Sequence, residues 1–156
     1  MSDSTLIQYL VEGSDASISN RRQIETFLCS GPIVKGDWVS FDVNKTGADK
    51  VLFVEQAPNA AAGTFVAGVA AEDADGTAAP ARVKVVVRGY YPDANVLTGV
   101  AAGQALAMSG TAGRAKNAAY IADGSGAAAA PLPTECGVAL TTASGNKAEV
   151  WVYKRF

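Results

Sequence analysis

The sequence contains no histidine. Nucleophilic catalysis by Ser or Cys needs a base within reach, most often an imidazole, so that route is closed. Charged residues make up 18% of the chain and aromatics 8%, where charged residues alone usually approach a quarter. Long helices laced with ion pairs are therefore not expected. Only two cysteines are present, Cys29 and Cys136, far apart and in no metal-binding spacing. Reduced thiols are expected, because the start MSDSTLIQYL lacks a basic segment followed by a long apolar one. No run approaches the ~18 apolar residues of a membrane span, so a soluble protein is expected. Net charge is −2, and basic residues do not alternate with aromatics, which argues against nucleic-acid binding.

The remaining candidate sites are weak. The acidic stretch Glu72-Asp73-Ala74-Asp75-Gly76 holds a D-x-D-G fragment, but the rest of a calcium loop is missing, and a polar turn is the simpler reading. Gly110-Thr-Ala-Gly113 and Gly124-Ser-Gly126 lack the Gly-Lys-Ser/Thr that completes a phosphate-binding loop. Asn44-Lys45-Thr46 is a formal glycosylation sequon that here reads as a turn. Cys136 reads as a small buried thiol. No catalytic residue, cofactor site or metal site is expected, and the chain reads as a structural or binding protein, not an enzyme.

What is present is Gly, Ala, Val and Thr in short punctuated runs. Its 156 residues fit one domain, or one domain with an appended arm. Residues 1–30 differ from the rest: spaced apolar residues (Leu6, Ile7, Leu10, Ile24, Phe27, Leu28) lie among polar ones, and Gly31-Pro32 closes the zone. Thr5 and Gln8 have capping-box spacing, which allows a short helix over about 5–12, with extended structure as the competitor. From residue 31 the chain reads as β. GDWVSFDV, VLFV, TFVAGV and RVKVVVR follow one another with Gly, Asn, Asp or Pro between them, a spacing suited to a small barrel or sandwich.

The second β zone echoes the first. Gly36-Asp-Trp-Val-Ser-Phe pairs with Gly103-Gln-Ala-Leu-Ala-Met, and Lys45-Thr46-Gly47 with the 110–113 turn. Gly68-Val69-Ala70 pairs with Gly137-Val138-Ala139, and Val83-Lys-Val-Val-Val with Ala148-Glu-Val-Trp-Val. The order is kept, which predicts a repeated β unit. The expected fold is all-β: a small β-barrel or sandwich of two similar half-units, about 36–90 and 96–156, forming a 31–156 domain with an arm over 1–30. Charge divides unevenly, with 5 basic and 11 acidic residues in 1–78 and 8 basic and 4 acidic in 79–156. Such asymmetry suits copies or partners that meet through opposite charge. Tyr90-Tyr91-Pro92 follows the strongest strand and reads either as an exposed aromatic contact or as a strand end covering the core.

The order RVKVVVRGYYPDANVLTGVAAGQALAMSGTAGRA, then CGVALTTASGNKAEVWV, resembles the small bacteriophage capsid decoration, or cement, proteins. The residues that carry the likeness are Val85 to Gly89, Val96 to Leu106, Thr111-Ala112-Gly113, Gly137 to Leu140, and Ser144-Gly145 to Val152. The first 30 residues and the stretch 114–134 depart from that compact pattern. The resemblance implies a protein made in the bacterial host cytoplasm that binds the outer capsid surface of the virion. It would stabilise the assembled head by bridging major capsid protein subunits, as a self-associating homotrimer. Leu6, Ile7, Leu10, Ile24, Phe27 and Leu28 are then the expected partner-binding residues of the arm, with Tyr90 and Tyr91 as a second contact. The alternative is a head fibre or knob that binds a receptor or glycan. Membrane and nucleic-acid partners are not expected.

Overall fold

The computed structural model describes residues 21–57, 65–118 and 135–154. The expected helix over 5–12 and the anchors Leu6, Ile7 and Leu10 lie outside the described residues. Among those described, the chain is all-β, with eleven strands and one short 3-10 turn at Gly47–Val51. Five strands make the first half: β1 (Arg22–Cys29), β3 (Trp38–Phe41), β4 (Phe53–Gln56), β5 (Val66–Ala70) and the first part of β7 (Ala81–Asn95). Their pairings run in a cycle, β1-β4-β3-β5-β7-β1. All are antiparallel except β1 with β4. The short strands β2 (Pro32–Ile33) and β6 (Ala74–Asp75) pair beside this cycle.

The second half repeats the plan. The end of β7 pairs antiparallel with β11 (Lys147–Val152), which continues through β10 (Glu135–Ala139) and β8 (Ala105–Met108) to β9 (Ala115–Asn117). A parallel bridge between Val96 and Ala115 completes this second cycle. It stands where Cys29 and Val54 meet in the first. The two half-units therefore share one long strand.

Backbone hydrogen bonds repeat as well. Gly36 N–H donates to Ala70 O as Gly103 N–H donates to Ala139 O, and Ala70 N–H donates to Asp37 O as Ala139 N–H donates to Gln104 O. Ala57 N–H donates to Trp38 O as Ala118 N–H donates to Ala105 O, and Ala71 N–H donates to Lys84 O as Leu140 N–H donates to Glu149 O. Gly36 and Gly103 both open their strands at positive φ, +92° and +78°, a conformation in which glycine carries no Cβ penalty.

Two apolar clusters follow from this plan. Phe27, Val39, Phe41, Val83, Val85 and Val87 fill the first, and Ala94, Leu106, Met108, Ala148, Val150 and Val152 stand at the matching positions of the second. Alternate residues of the first unit's wall, Trp38, Val66, Val69 and Val86, belong to the second cluster. The β3-β5-β7 wall is thus buried on both faces. That explains the unbroken Val85-Val86-Val87 run, which a sheet with one wet face would not require.

The expected unit boundaries need correction. β1 lies in the segment read as an arm, yet it pairs with β7 along its whole length, from Arg22 with Gly89 to Cys29 with Ala81. Its equivalent in the second unit is residues 89–96, most of which fall between the expected half-units 36–90 and 96–156. The units therefore span 22–88 and 89–152, and the domain does not begin at residue 31. Pro92 lies inside β7, where the register with β11 shifts between Ala148 and Val150. A bulge is one of the few strand positions that accept a residue without an N–H.

Candidate functional site

Gly89 marks the middle of the shared strand. Arg22 of β1 pairs with it on one side and Val152 of β11 on the other. At φ +100° its backbone lies so close to β1 that a Cβ there would sit 1.9 Å from the Arg21 carbonyl oxygen. This approach brings together the start of β1 and the end of β11, which lie about 130 residues apart in the chain.

The result is an open groove. Arg21, Arg22, Gln23, Arg88 and Trp151 line one part of about 320 Å³. Arg88 and Trp151 also line a neighbouring part of about 530 Å³ together with Val152, Tyr153 and Lys154. Gln23 lies opposite Arg88 across β1 and β7, and Trp151 lies opposite Tyr90 across β7 and β11. Lys154 Nζ meets Glu25 at 3.1 Å, which ties the end of β11 to β1. Tyr90 is half-buried, and its phenol is raised above the ordinary value by desolvation first and by Glu149 and Asp93 next.

The groove is cationic with an indole in its floor. Guanidinium groups take carboxylates in a planar, bidentate way, and Trp, Tyr and Arg are the residues most often dominant in protein interfaces. Its chemistry suits an acidic protein segment.

The sequence-predicted contact residues fall unevenly around this groove. Ile24 is 41% exposed, in the strand that forms its rim. Phe27 is buried in the first core, edge-on to Phe41 at 5.7 Å, because its position on β1 points into the strand cycle. It cannot anchor a partner without unfolding the unit. Leu28 is half-buried, and its N–H donates to Leu52 O at 2.8 Å. Tyr91 is 2% exposed, so the exposed-contact reading fails for it and the core-covering reading holds. Burial first, and Asp93 next, push its phenol up to about 12. Its hydroxyl has no hydrogen-bond partner among the described residues. The basic members of the groove were not visible as a site, since each stands in a different strand or flank.

A second polar feature lies at the seam between units. Asp37 is buried and accepts from Asn95 Nδ2 at 2.7 Å, Gln56 Nε2 at 2.9 Å and Val34 N–H at 3.0 Å. Beside it Trp38 N–H donates to Gly113 O, Gly113 N–H to Ala57 O, and Asn95 N–H to Gly36 O. Cys29 and Cys136 are buried thiols in different cores, not joined by a disulfide, and the Cys136 thiol donates to Leu106 O at 3.4 Å. The 72–77 stretch is a short strand and polar turn, in which Asp75 accepts from Thr77 N–H and Oγ1.

No protein-family model and no curated protein matches the chain. Among solved structures, the N base of the head fibre gp8.5 of bacteriophage phi29 is similar. The match has a TM-score of 0.53 at 12% sequence identity, and it covers 83% of this chain and 94% of that one. The likeness is one of fold.

Proposed function

We propose that this chain is a non-catalytic structural protein of a phage virion that binds the outer surface of the assembled head. On this reading it stabilises the shell by bridging major capsid protein subunits and self-associates there. The observation that carries the reading is the fold: a β unit present twice on a shared strand, which is similar to a solved head-fibre base. The motif resemblance to cement proteins adds to it. The groove supplies the chemistry, since three arginines around Trp151 suit carboxylates presented by a folded shell. Residues 1–20 carry Asp3, Glu12 and Asp15 with no Lys or Arg.

The head-fibre name of the similar structure favours one second reading, a fibre base whose partner lies beyond the head. The two separate in one experiment. Purified protein is mixed with assembled heads and with free capsid subunits, then sedimented. The capsid reading expects co-sedimentation with heads only, weakened at least tenfold by Arg22→Glu with Arg88→Glu. Tight binding to a receptor or glycan with none to heads overturns it.

A further inference from the structure

The repeat contains an interface as well as a fold. At the seam, one end of the second unit sits on the outer wall of the first. That end comprises the turn 109–114 and Asn95. The wall it meets comprises Gly36, Asp37 and Trp38, with Ala57 beside them. The contact joins two different surfaces, an end and a wall. Each unit has both surfaces, because the two units share one plan. The seam uses the end of the second unit and the wall of the first. Among the described residues, one end, on the first unit, and one wall, on the second, are left over.

The leftover end is apolar. It is built around the turn 42–52, the counterpart of 109–114. There Val43 and Val51 are each 62% exposed and Leu52 is 49% exposed. Phe65 is also exposed, its ring tilted at 40° to that of Phe41 with centroids 5.8 Å apart. Val43, Val51 and Leu52 all stand on this one turn, and Lys45 of the same turn lies over the buried Phe53 ring instead of over them. Contiguous exposed apolar patches on a folded protein mark contact sites.

The leftover wall has the complementary form. Gly103, Gln104 and Ala105 stand where Gly36, Asp37 and Trp38 stand in the first unit, held by the same backbone bonds. At the seam a large wall residue, Trp38, meets small residues, with its ring 3.2 Å from where a Cβ on Gly137 would lie. At the leftover pair the sizes are exchanged. The wall offers Ala105, with half-buried Val138 and Trp151 nearby, and the end offers Val51 and Leu52. The acidic hub is replaced by neutral Gln104, so no buried charge is needed at this contact.

We infer that a second copy of this chain covers the 42–52 end by docking it against the Ala105 wall, head to tail, repeating between chains the contact made within each chain. Such a contact is heterologous, and it produces a closed ring or a growing row according to its rotation. The inference rests on the internal repeat and does not depend on the head-binding reading.

The test uses purified full-length chain without heads, followed by sedimentation velocity over a range of concentrations. Wild type is expected to associate. Leu52→Asp with Val51→Asp on the end, and Ala105→Arg on the wall, are each expected to raise the dissociation constant at least tenfold while circular dichroism stays unchanged. Val43→Asp, farther along the same turn, is the second end variant if the first pair disturbs folding. The deciding step mixes an end variant with the wall variant. Each keeps the surface the other lacks, so the mixture forms a heterodimer and stops at two. A wild type that stays monomeric throughout overturns the inference. So does a mixture that remains monomeric while wild type associates, because the contact is then not end to wall.

Discussion

Replacing Asp37 with alanine removes the acceptor for three donors at once: Asn95 Nδ2, Gln56 Nε2 and the Val34 N–H. Hydrogen bonds to a charged acceptor are worth about 1.5–3 kcal/mol when the donor is left stranded. The Val34 amide belongs to a residue exposed enough to find water, so its share is smallest. Asn95 and Gln56 are fixed at the seam by their strands and lose more. A total of roughly 4 kcal/mol follows, with Gln56 and Asn95 carrying most of it. For a chain of this size that corresponds to a fall in Tm of roughly 8–16 °C. Asp37→Asn keeps one acceptor but turns an amide N–H toward other donors, and it should lose about half as much. The assay is urea unfolding followed by tryptophan fluorescence, since Trp38 is fully buried beside Asp37. A double-mutant cycle with Asn95→Ala should give a coupling of about 1–2 kcal/mol, because each single change already breaks the same bond. Additive losses, or an Asp37→Ala variant within about 0.5 kcal/mol of wild type, would refute the view that this carboxylate locks the two units together.

Further outcomes follow from the same geometry. Tyr91→Phe should leave stability at pH 8 unchanged or raise it by up to about 1 kcal/mol, because the buried hydroxyl has no partner among the described residues. The raised phenol pKa gives the sign at high pH. Below about 10 both states are neutral; between about 10 and 12 the unfolded chain ionises first, so wild type loses up to roughly 2–3 kcal/mol across that window. Urea midpoints at pH 8 and pH 11 should show a smaller loss in Tyr91→Phe, and equal losses would show that Tyr91 is not the group responsible. Gly89→Ala should cost several kcal/mol, since its Cβ would collide with the Arg21 backbone at a positive φ; a thermal melt within 2 °C of wild type contradicts that. Reducing agent should not shift Tm, because Cys29 and Cys136 sit in separate cores.

The repeat was legible in the sequence because both units place Gly before a strand and keep apolar residues on one face. Val39 and Phe41 recur as Leu106 and Met108, and Val83, Val85 and Val87 as Ala148, Val150 and Val152. The first strand of each unit was not legible. In β1, outward Ile24 and Leu28 interleave with inward Phe27 and Cys29, which blurs the alternation that marks a half-buried strand. Its counterpart, residues 89–96, contains Pro92 and Asp93, and only the bulge opposite β11 makes a proline acceptable there. Two copies of one strand thus follow different local rules in sequence, and β1 reads there as part of an arm although it is a strand of the first unit.

The same sharing of β7 explains why the surfaces escaped a reading by motif. A groove formed where β1 starts, β7 crosses and β11 ends draws on three distant stretches, and no local spacing announces it. What the sequence does show is unequal use of equivalent positions. Trp38 corresponds to Ala105, Asp37 to Gln104, and Val86 on the covered wall to Trp151 on the uncovered one. Equal units under equal demands would keep the same residues at such places. Residues differ between the two cores as well, as Phe27 and Ala94 do, but at Trp38 and Val86 one copy is covered by its sister while Ala105 and Trp151 are not, so the uncovered counterparts are where the proposed contacts would act. The arginines, Trp151 and the 42–52 end are therefore the first positions to mutate, ahead of any residue shared by both cores.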